Sequence, residues 1–492
     1  MDSLHSEVEK KRLGEFRRYL ELFRDAFDEL HQAVIVRMAI PNQYVGAHHD
    51  YPTMSTLSSG FPAFSDAGFY QNDSPRDYVG IFRPRGLAAI VAGYTLPTSG
   101  FPKGAELASF LRSHEIGVRL GLRTEIFDGK TFDRPVDRLV ADAVERYLHL
   151  YGTGAAIESS RRDAVIMPLV FGTIWPVLKL RLVVPITMTH FKVDHFRLTE
   201  TSYITKIPKK LQLARARMTT LGTSAVKLVV GAATHAFVAN GFDLKVATVG
   251  QVNPSLSHAS SNALDAIDSF FGALRIATGV DTGYAQILWV PQGWTLDYFC
   301  DLSPVYGTTL RRYPESFDSY GWVNSGATVT APQLHDVRRV YQAVVNSQSE
   351  AIRLALNRLN GCLTRSDPAD AILDGTIGLE LLLGDDQNQS LASKLRLRAA
   401  ALAILHADPA YSAANVATKV KRLYEARSAI VHGRRKKRST AASEPTDTSD
   451  SHRLIASDVL RFVLNVLLTH PEYQDPTRID EGLLLRGAEV AV

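Results

Sequence analysis

The amino-acid sequence predicts an α+β protein with more than one domain, in which a β-rich region precedes an all-helical bundle. The chain has 492 residues, more than a single hydrophobic core usually organises. From residue 33 to 332 it is rich in Val, Ile, Thr, Gly and Pro, with short apolar runs between turn residues, which is typical of strands. A few helices are predicted within this region, notably at 134–151 and 262–277. Beyond residue 332 the apolar residues recur at helical spacing. These patterns predict four regions: an amphipathic helix at 1–32, a β-rich domain at 33–332 whose role, sensory or regulatory, the patterns leave unknown, a helical bundle at 333–470 and a tail at 471–492.

Charge and cysteine content limit the classes of function. A formal net charge of +4 permits a polyanionic partner without requiring one, so any case for nucleic acid must come from local features. The two cysteines, Cys300 and Cys362, form no metal-binding motif and are typical of a reducing, cytoplasmic location. The longest apolar run, at 164–178, is too short to span a membrane and is predicted to form buried strands, so no membrane association is expected.

The amino-terminal region offers few motifs with an obvious chemistry. Apolar residues from Leu13 to Phe27 recur at helical spacing and predict the amphipathic first helix. Residues 46–80, rich in Gly, Pro, Ser and Asp, predict a long loop or insertion. Within them the run AHHD is interpreted as a polar loop and not as a metal site, because adjacent residues such as His48 and His49 point to opposite sides of an extended chain. No metal ion or cofactor is expected.

Five helices are predicted after residue 332. One apolar stripe over 337–359 predicts a long first helix, and Asp367 followed by proline is a typical start for the second. Ser390 is a candidate N-cap of the third helix, and either Ser412 or Asn415 is a candidate N-cap of the fourth. The fifth helix, at 453–469, is apolar almost all round and is expected to be the most buried of the bundle.

Two arginines interrupt the apolar stripes of these helices. Arg427 takes a place in the apolar series of the fourth helix, and Arg398 does the same in the third. Glu380 shares a face with apolar residues of the second helix. A guanidinium that faces a core is costly unless it is paired or opens onto a water-filled cleft. The pattern therefore predicts a polar cluster between neighbouring helices, either an ion-paired core that fixes helix register or a functional site.

His432 lies five residues after Arg427, in the stretch LYEARSAIVHG. On an ideal helix the two side chains are about 140° apart and do not share a face. They can converge if the helix ends at His432, which Gly433 favours. They can also converge if a two-fold dimer brings a second copy of the motif into the same cleft. The alternative is a histidine that only interacts with the last carbonyl groups of its helix.

A basic run follows this motif almost directly. Such a run can neutralise several phosphates of a nucleic acid. The alternative is a solvated linker or an import signal. The run consists of Arg434, Arg435, Lys436, Lys437 and Arg438.

The carboxylate in GLELLL, the helical context and the R-x4-H spacing in RSAIVHG resemble the HEPN superfamily, and most closely its Apea-like branch. The runs HFKVDHFRLTETSYITKIPKK and FFGALRIATGVDTGYAQILW are similar to the β-rich partner domain of that branch, so the resemblance spans residues 190–470. It implies a metal-independent endoribonuclease that works as a homodimer, as a toxin or an abortive-infection effector against phage. It implies Arg427 and His432 as catalytic residues, the basic run as the RNA-binding segment, and as supporting residues Glu380, Arg398, Tyr424 and Ser428.

The implied chemistry suits these residue types. RNA carries its own nucleophile, the 2′-hydroxyl, so the protein needs only to move a proton and to stabilise charge on the phosphate. His432 has a side chain that titrates near neutral pH, and Arg427 offers a pair of charged donors to phosphate. The expected products carry 2′,3′-cyclic phosphate and 5′-hydroxyl ends.

A second function stays open beside the first. Many active members of the superfamily carry Asn, Asp or His directly after the arginine, whereas this chain has Ser428. A non-catalytic dimer that binds RNA or a partner protein is therefore the alternative. In either case the β-rich domain is expected to receive a protein or phage-derived trigger.

Overall fold

The computed structural model describes residues 2–65, 74–82, 100–122, 125–127, 130–154, 156–218, 224–319, 326–385, 390–432 and 449–485. The chain contains both helices and strands in an α+β architecture, and these elements form three consecutive groups. The first group comprises α1 (Asp2–Met38), β1 (Gly46–Ala47), β2 (Thr53–Thr56), β3 (Pro62–Ser65), β4 (Arg76–Asp77), α2 (Pro102–Arg112), α3 (Glu115–Leu120), β5 (Glu125–Phe127), β6 (Lys130–Phe132), α4 (Arg134–Tyr151) and α5 (Ser159–Ile174).

The second group contains most of the strands, and the third is helical. The second comprises β7 (Val177–Pro185), β8 (Thr189–Phe191), β9 (His195–Arg197), β10 (Ser202–Lys206), α6 (Lys209–Arg217), α7 (Ser224–Gly231), β11 (His235–Lys245), α8 (Val252–Leu256), α9 (Ser261–Thr278), β12 (Tyr284–Pro291), β13 (Tyr306–Arg312) and β14 (Ala327–Val329). The third comprises α10 (Ala331–Asn346), α11 (Glu350–Thr364), α12 (Pro368–Leu383), α13 (Leu391–Leu402), α14 (Ala413–Val431), α15 (Ser449–Thr469) and α16 (Pro476–Ile479).

The first group has a hydrophobic core of its own, built mainly from α1, α2, α4 and α5. The helix predicted at 1–32 is present and continues to Met38. Residues 46–80, predicted to be a long loop, contain two short antiparallel ribbons, in which β1 pairs with β4 and β2 with β3. The helix predicted at 134–151 is present as α4, but the prediction of β-rich structure over the rest of 102–174 is wrong, since the described residues there form three further helices and only the short strands β5 and β6.

Residues 164–178 form the end of α5 and the start of β7, so their prediction as buried strands is wrong up to Ile174. A short apolar run does not distinguish a buried helix from a buried strand by its periodicity. Pro168 lies inside α5, a position that usually breaks a helix because proline lacks the N–H group. The Pro168 carbonyl accepts a hydrogen bond from the Thr295 N–H at 2.9 Å, which connects this helix to the second group.

A six-stranded antiparallel sheet with the order β13-β12-β7-β11-β10-β9 forms the centre of the second group. One of its faces packs against α9 and α10. Phe237 of β11 stacks on Phe270 of α9, with 4.4 Å between the ring centroids, and Tyr341 of α10 lies edge-on at 6.1 Å. Alternate side chains such as Val183 and Val238 belong to a smaller cluster on the other face.

The bundle helices begin largely where the caps predict. Asp367 and Ser412 cap α12 and α14 through their side chains, as expected. Ser390 occupies the N-cap position of α13 but makes no capping hydrogen bond with its side chain. The long helix predicted over 337–359 is two helices. The first ends at Asn346, and the second, α11, begins at Glu350 after Ser349, whose hydroxyl caps it.

Helix α15 lies at the centre of the bundle, as its apolar character predicts. Its side chains from Val459 to Leu468 are mostly buried. Gly375 of α12 permits the close approach of α15, since a Cβ there would lie 2.7 Å from the Cβ of Ala456. The chain passes from β14 directly into α10 at Ala331, and one hydrophobic core runs from the sheet through α9 to α15. Within the described residues, no helix combines the length and the apolar character that crossing a lipid bilayer requires.

Asp142 of α4 is a largely buried carboxylate at the contact with the second group. Its Oδ2 accepts a hydrogen bond from the Tyr298 N–H at 3.2 Å and lies 3.6 Å from the Arg138 Nε. Burial raises the pKa of Asp142 to about 7, Asp297 and Glu145 add to the rise, and Arg138 and the Tyr298 N–H oppose it. Since the folded chain holds this proton more tightly than the unfolded chain, stability falls as the pH rises from about 4 to about 7.

Replacing Asp142 with asparagine is therefore expected to raise the melting temperature at pH 8 and to change it little at pH 4. The measurement is thermal unfolding followed by circular dichroism at both pH values. Asp243→Asn, at an exposed position of β11, is the matched control and should shift neither value. An equal gain for Asp142→Asn at both pH values would contradict the assignment.

Candidate active site

Helix α14 presents the predicted motif at its carboxyl end. The helix ends at Val431, and His432 is the C-cap residue with φ −95° and ψ 6°. The His432 N–H still donates to the Ser428 carbonyl at 3.0 Å, while the residue as a whole is exposed to solvent. The helix thus ends beside His432, which is the first condition for convergence, while the described contacts of Arg427 are with Glu380 and Tyr424 and not with His432.

Arg427 lies at the contact between α14 and α12, with its side chain 30% exposed. Its Nη2 is 3.7 Å from Oε1 of Glu380, and its guanidinium carbon is 5.6 Å from the ring centroid of Tyr424. The Oε1 atom of Glu380 is buried and accepts no hydrogen bond. The carboxylate and the aromatic ring therefore position the guanidinium, and part of it stays open to an incoming anion.

Arg398 does not join Arg427 and Glu380, although the sequence places all three on apolar faces. It is 4% exposed, and it donates to both carboxylate oxygens of Asp480 at 2.9 and 2.6 Å and to the Leu383 carbonyl at 2.7 Å. Its hydrogen bonds with Asp480 hold the pKa of Arg398 above its usual value. The predicted single cluster is thus two separate ones, and Arg398 connects α13 to the segment after α16.

Of the other predicted site residues, the structure describes Ser428 and Tyr424. Ser428 is half-buried, and its carbonyl accepts the C-cap hydrogen bond described above. Tyr424 packs against the bundle core. Gly433 and the basic run Arg434, Arg435, Lys436, Lys437 and Arg438 lie outside the described residues, so their roles stay predictions.

Side chains that commonly bind metals meet at a different place, which sequence reasoning missed. His48, which the sequence assigns to a polar loop, follows β1 directly, and the structure brings it next to Asp77 and Glu145. The argument that adjacent residues cannot chelate together holds for His48 and His49, but the partners of His48 come from distant segments. Glu145 and His149 lie four residues apart in α4, and this spacing was the available signal.

Comparisons of the chain with protein-family models, with curated proteins and with solved structures found no match. The functional argument therefore rests on the residues of the chain itself.

Proposed function

We propose that the chain is a metal-independent endoribonuclease of the HEPN type, in which residues 333–470 form the catalytic bundle and Arg427 and His432 act on the RNA backbone. The observation that supports the proposal best is the end of α14. Within five residues it presents a partly exposed arginine that a carboxylate and an aromatic ring position, and an exposed histidine just beyond the last helical turn.

The chemistry follows from the charge and the proton affinity of these side chains. His432 takes the proton of the 2′-hydroxyl, and the 2′-oxygen attacks the adjacent phosphorus. The bond from phosphorus to the 5′-oxygen then breaks, and this oxygen takes up a proton from the His432 of a second copy. Arg427 holds the phosphate and stabilises the extra negative charge of the five-coordinate state, a contribution of about 10²–10³ in rate for one well-placed donor.

A homodimer supplies the second histidine and places two motifs along one strand. Glu380 and Tyr424 keep the guanidinium oriented in each copy. In the sequence, the basic run begins two residues after His432 and adds phosphate contacts, which predicts a steep loss of RNA binding with salt. We propose that the protein acts in defence by RNA cleavage, as a toxin or abortive-infection effector. In this proposal, residues 33–332 receive the trigger.

The proposal predicts that purified protein cuts single-stranded RNA in the presence of EDTA and leaves 2′,3′-cyclic phosphate and 5′-hydroxyl ends. The measurement is gel electrophoresis of end-labelled RNA before and after removal of the cyclic phosphate. Circular dichroism in the same buffer establishes that the chain remains folded without metal. Products with 5′-phosphate ends, or cleavage that requires added divalent ions, would contradict the mechanism.

A non-catalytic RNA-binding dimer is the second candidate, favoured by Ser428 at the position after the arginine. It predicts that labelled RNA is retained in a filter assay without any shortening. If the wild type retains RNA without cleaving it and the Arg427→Ala variant does not retain it, the surface at the end of α14 binds RNA without catalysis.

A further inference from the structure

His48, Asp77 and Glu145 form a compact set of ligand-type side chains away from α14. The Nε2 atom of His48 lies 3.9 Å from Oδ1 of Asp77 and 3.9 Å from Oε2 of Glu145. The three ligand atoms all lie within 4.8 Å of one another. His149 lies beside this set, with its Nε2 atom 3.1 Å from the same Oε2 atom of Glu145.

The side chains of this cluster are largely buried, and the two histidines lie against the Glu145 carboxylate. The side chains of His48 and Asp77 are 15% exposed, that of Glu145 is 11% exposed and that of His149 is 7% exposed. The Nε2 atoms of both histidines and Oε2 of Glu145 make no hydrogen bond of acceptable geometry. Buried polar atoms without partners are costly, so a ligand that satisfies several of them at once would stabilise the fold.

The fold builds the cluster from two local structures. Antiparallel pairing of β1 with β4 brings the chain at His48 beside Asp77, and the His48 N–H donates to the Pro75 carbonyl at 2.8 Å. On α4, Glu145 and His149 lie one turn apart on the same face. The Val79 N–H donates to Oε1 of Glu145 at 2.6 Å, which orients the carboxylate and leaves Oε2 for the cluster.

A close backbone approach holds the second carboxylate. The Gly80 N–H donates to Oδ1 of Asp77 at 3.0 Å. A Cβ at Gly80 would lie 2.2 Å from Oδ2 of Asp77, so any larger residue would displace the carboxylate. Such outer hydrogen bonds are typical of metal ligands, whose orientation they set.

We propose that His48, Asp77 and Glu145 bind one Zn²⁺ ion, with the fourth position open to water, and that His149 positions the Glu145 carboxylate. One imidazole and two carboxylates are a donor set that zinc accepts in sites with three protein ligands. Ligand bonds of about 2.0–2.2 Å in tetrahedral geometry place neighbouring ligand atoms about 3.3–3.6 Å apart. The His48 Nε2 atom lies 3.9 Å from each of the two carboxylate oxygens, slightly beyond this range, so small side-chain rotations close the site. The ion would fasten the β1–β4 ribbon to α4.

Cys300 lies at the edge of the same cluster and offers an alternative donor. It forms a second set with His48 and His149, whose ligand atoms also lie within 4.8 Å of one another. The thiol is buried, and burial together with Glu145 and Asp301 raises its pKa. The carboxylates belong to the other set, with His48, and substitution of Cys300 distinguishes the two sets. Arg146, the nearby cation on α4, donates to the Cys300 and Leu302 carbonyls at 3.1 and 2.7 Å and so holds this loop.

The test is the zinc content of the full-length protein. Purified chain is treated with a chelator, incubated with ZnCl₂, separated from free ion and analysed by inductively coupled plasma mass spectrometry. One zinc per chain is expected, together with a rise in melting temperature as zinc is added. His48→Gln and Glu145→Gln are expected to weaken zinc binding, measured by competition with a chromophoric chelator, by more than about 100-fold, since even an outer partner usually contributes about 10–100-fold.

Two controls separate this site from its alternatives. His49→Gln changes the neighbouring histidine, which neither ligand set contains, and should retain one zinc. Cys300→Ser should also retain it, and loss of zinc in that variant would overturn the assignment of the carboxylates. Wild-type protein that binds no zinc, or a Glu145→Gln variant that binds as the wild type does, would overturn the proposal. RNA plays no part in this assay, so either result leaves the ribonuclease proposal to its own test.

Discussion

Replacing His432 with alanine is expected to lower RNA cleavage by about 10²–10⁴-fold, the usual contribution of a positioned general acid or base. Arg427→Ala is expected to lower it by about 10²–10³-fold, because the phosphate loses its charged donor in the transition state. Both side chains are at least partly exposed, so neither change should unfold α14. Single-turnover cleavage of a labelled RNA measures the rates, and circular dichroism checks the fold.

Matched substitutions of the same residue types control for nonspecific effects. Arg422 is exposed on the same helix, and His258 is an exposed histidine just beyond α8. Arg422→Ala and His258→Ala should keep cleavage within about threefold of wild type, as is usual for surface changes away from a site. Wild-type cleavage in both His432→Ala and Arg427→Ala would refute the site.

Asp480→Ala is expected to lower the free energy of unfolding by about 2–3 kcal/mol. Arg398 is buried and gives two hydrogen bonds to Asp480, so the substitution leaves a buried guanidinium with only the Leu383 carbonyl and Asp385 as partners. The measurement is urea unfolding at pH 7.

Glu481→Ala removes the adjacent carboxylate, which is exposed, and should change the free energy of unfolding by less than about 0.5 kcal/mol. If Asp480→Ala and Glu481→Ala lower the free energy of unfolding equally, the negative charge of residues 480–481 stabilises the fold, and the hydrogen bonds to Arg398 do not. The same result would contradict the assignment of Arg398 to stability.

Local signals along the chain predicted the helix ends well. Asp367 and Ser412 cap their helices because a short polar side chain reaches the free N–H groups of the first turn. The end of α14 next to His432 was predicted from Gly433, because glycine commonly follows the last residue of a helix. Where the local signal was ambiguous, as in the apolar run at 164–178, tertiary packing decided between helix and strand.

Contacts between distant segments could not be predicted in this way. An arginine on an apolar stripe indicates a buried partner, but nothing near Arg398 in the sequence points to Asp480, 82 residues away in a segment predicted to be a tail. His48 likewise meets Asp77 and Glu145 only because two strands pair and pack on α4. The four-residue spacing of Glu145 and His149 on one helix can be seen in the sequence. The sequence does not show that His48 packs against this face of the helix.

The central claim is that His432 and Arg427 act on RNA. Expression of wild-type protein and of His432→Ala in bacterial cells, with sequencing of RNA ends that carry 2′,3′-cyclic phosphate, tests it most directly. Growth arrest and new cyclic-phosphate ends with the wild type, and neither with the variant at equal protein level, is the result that we predict. The same set of ends from both proteins would contradict the claim.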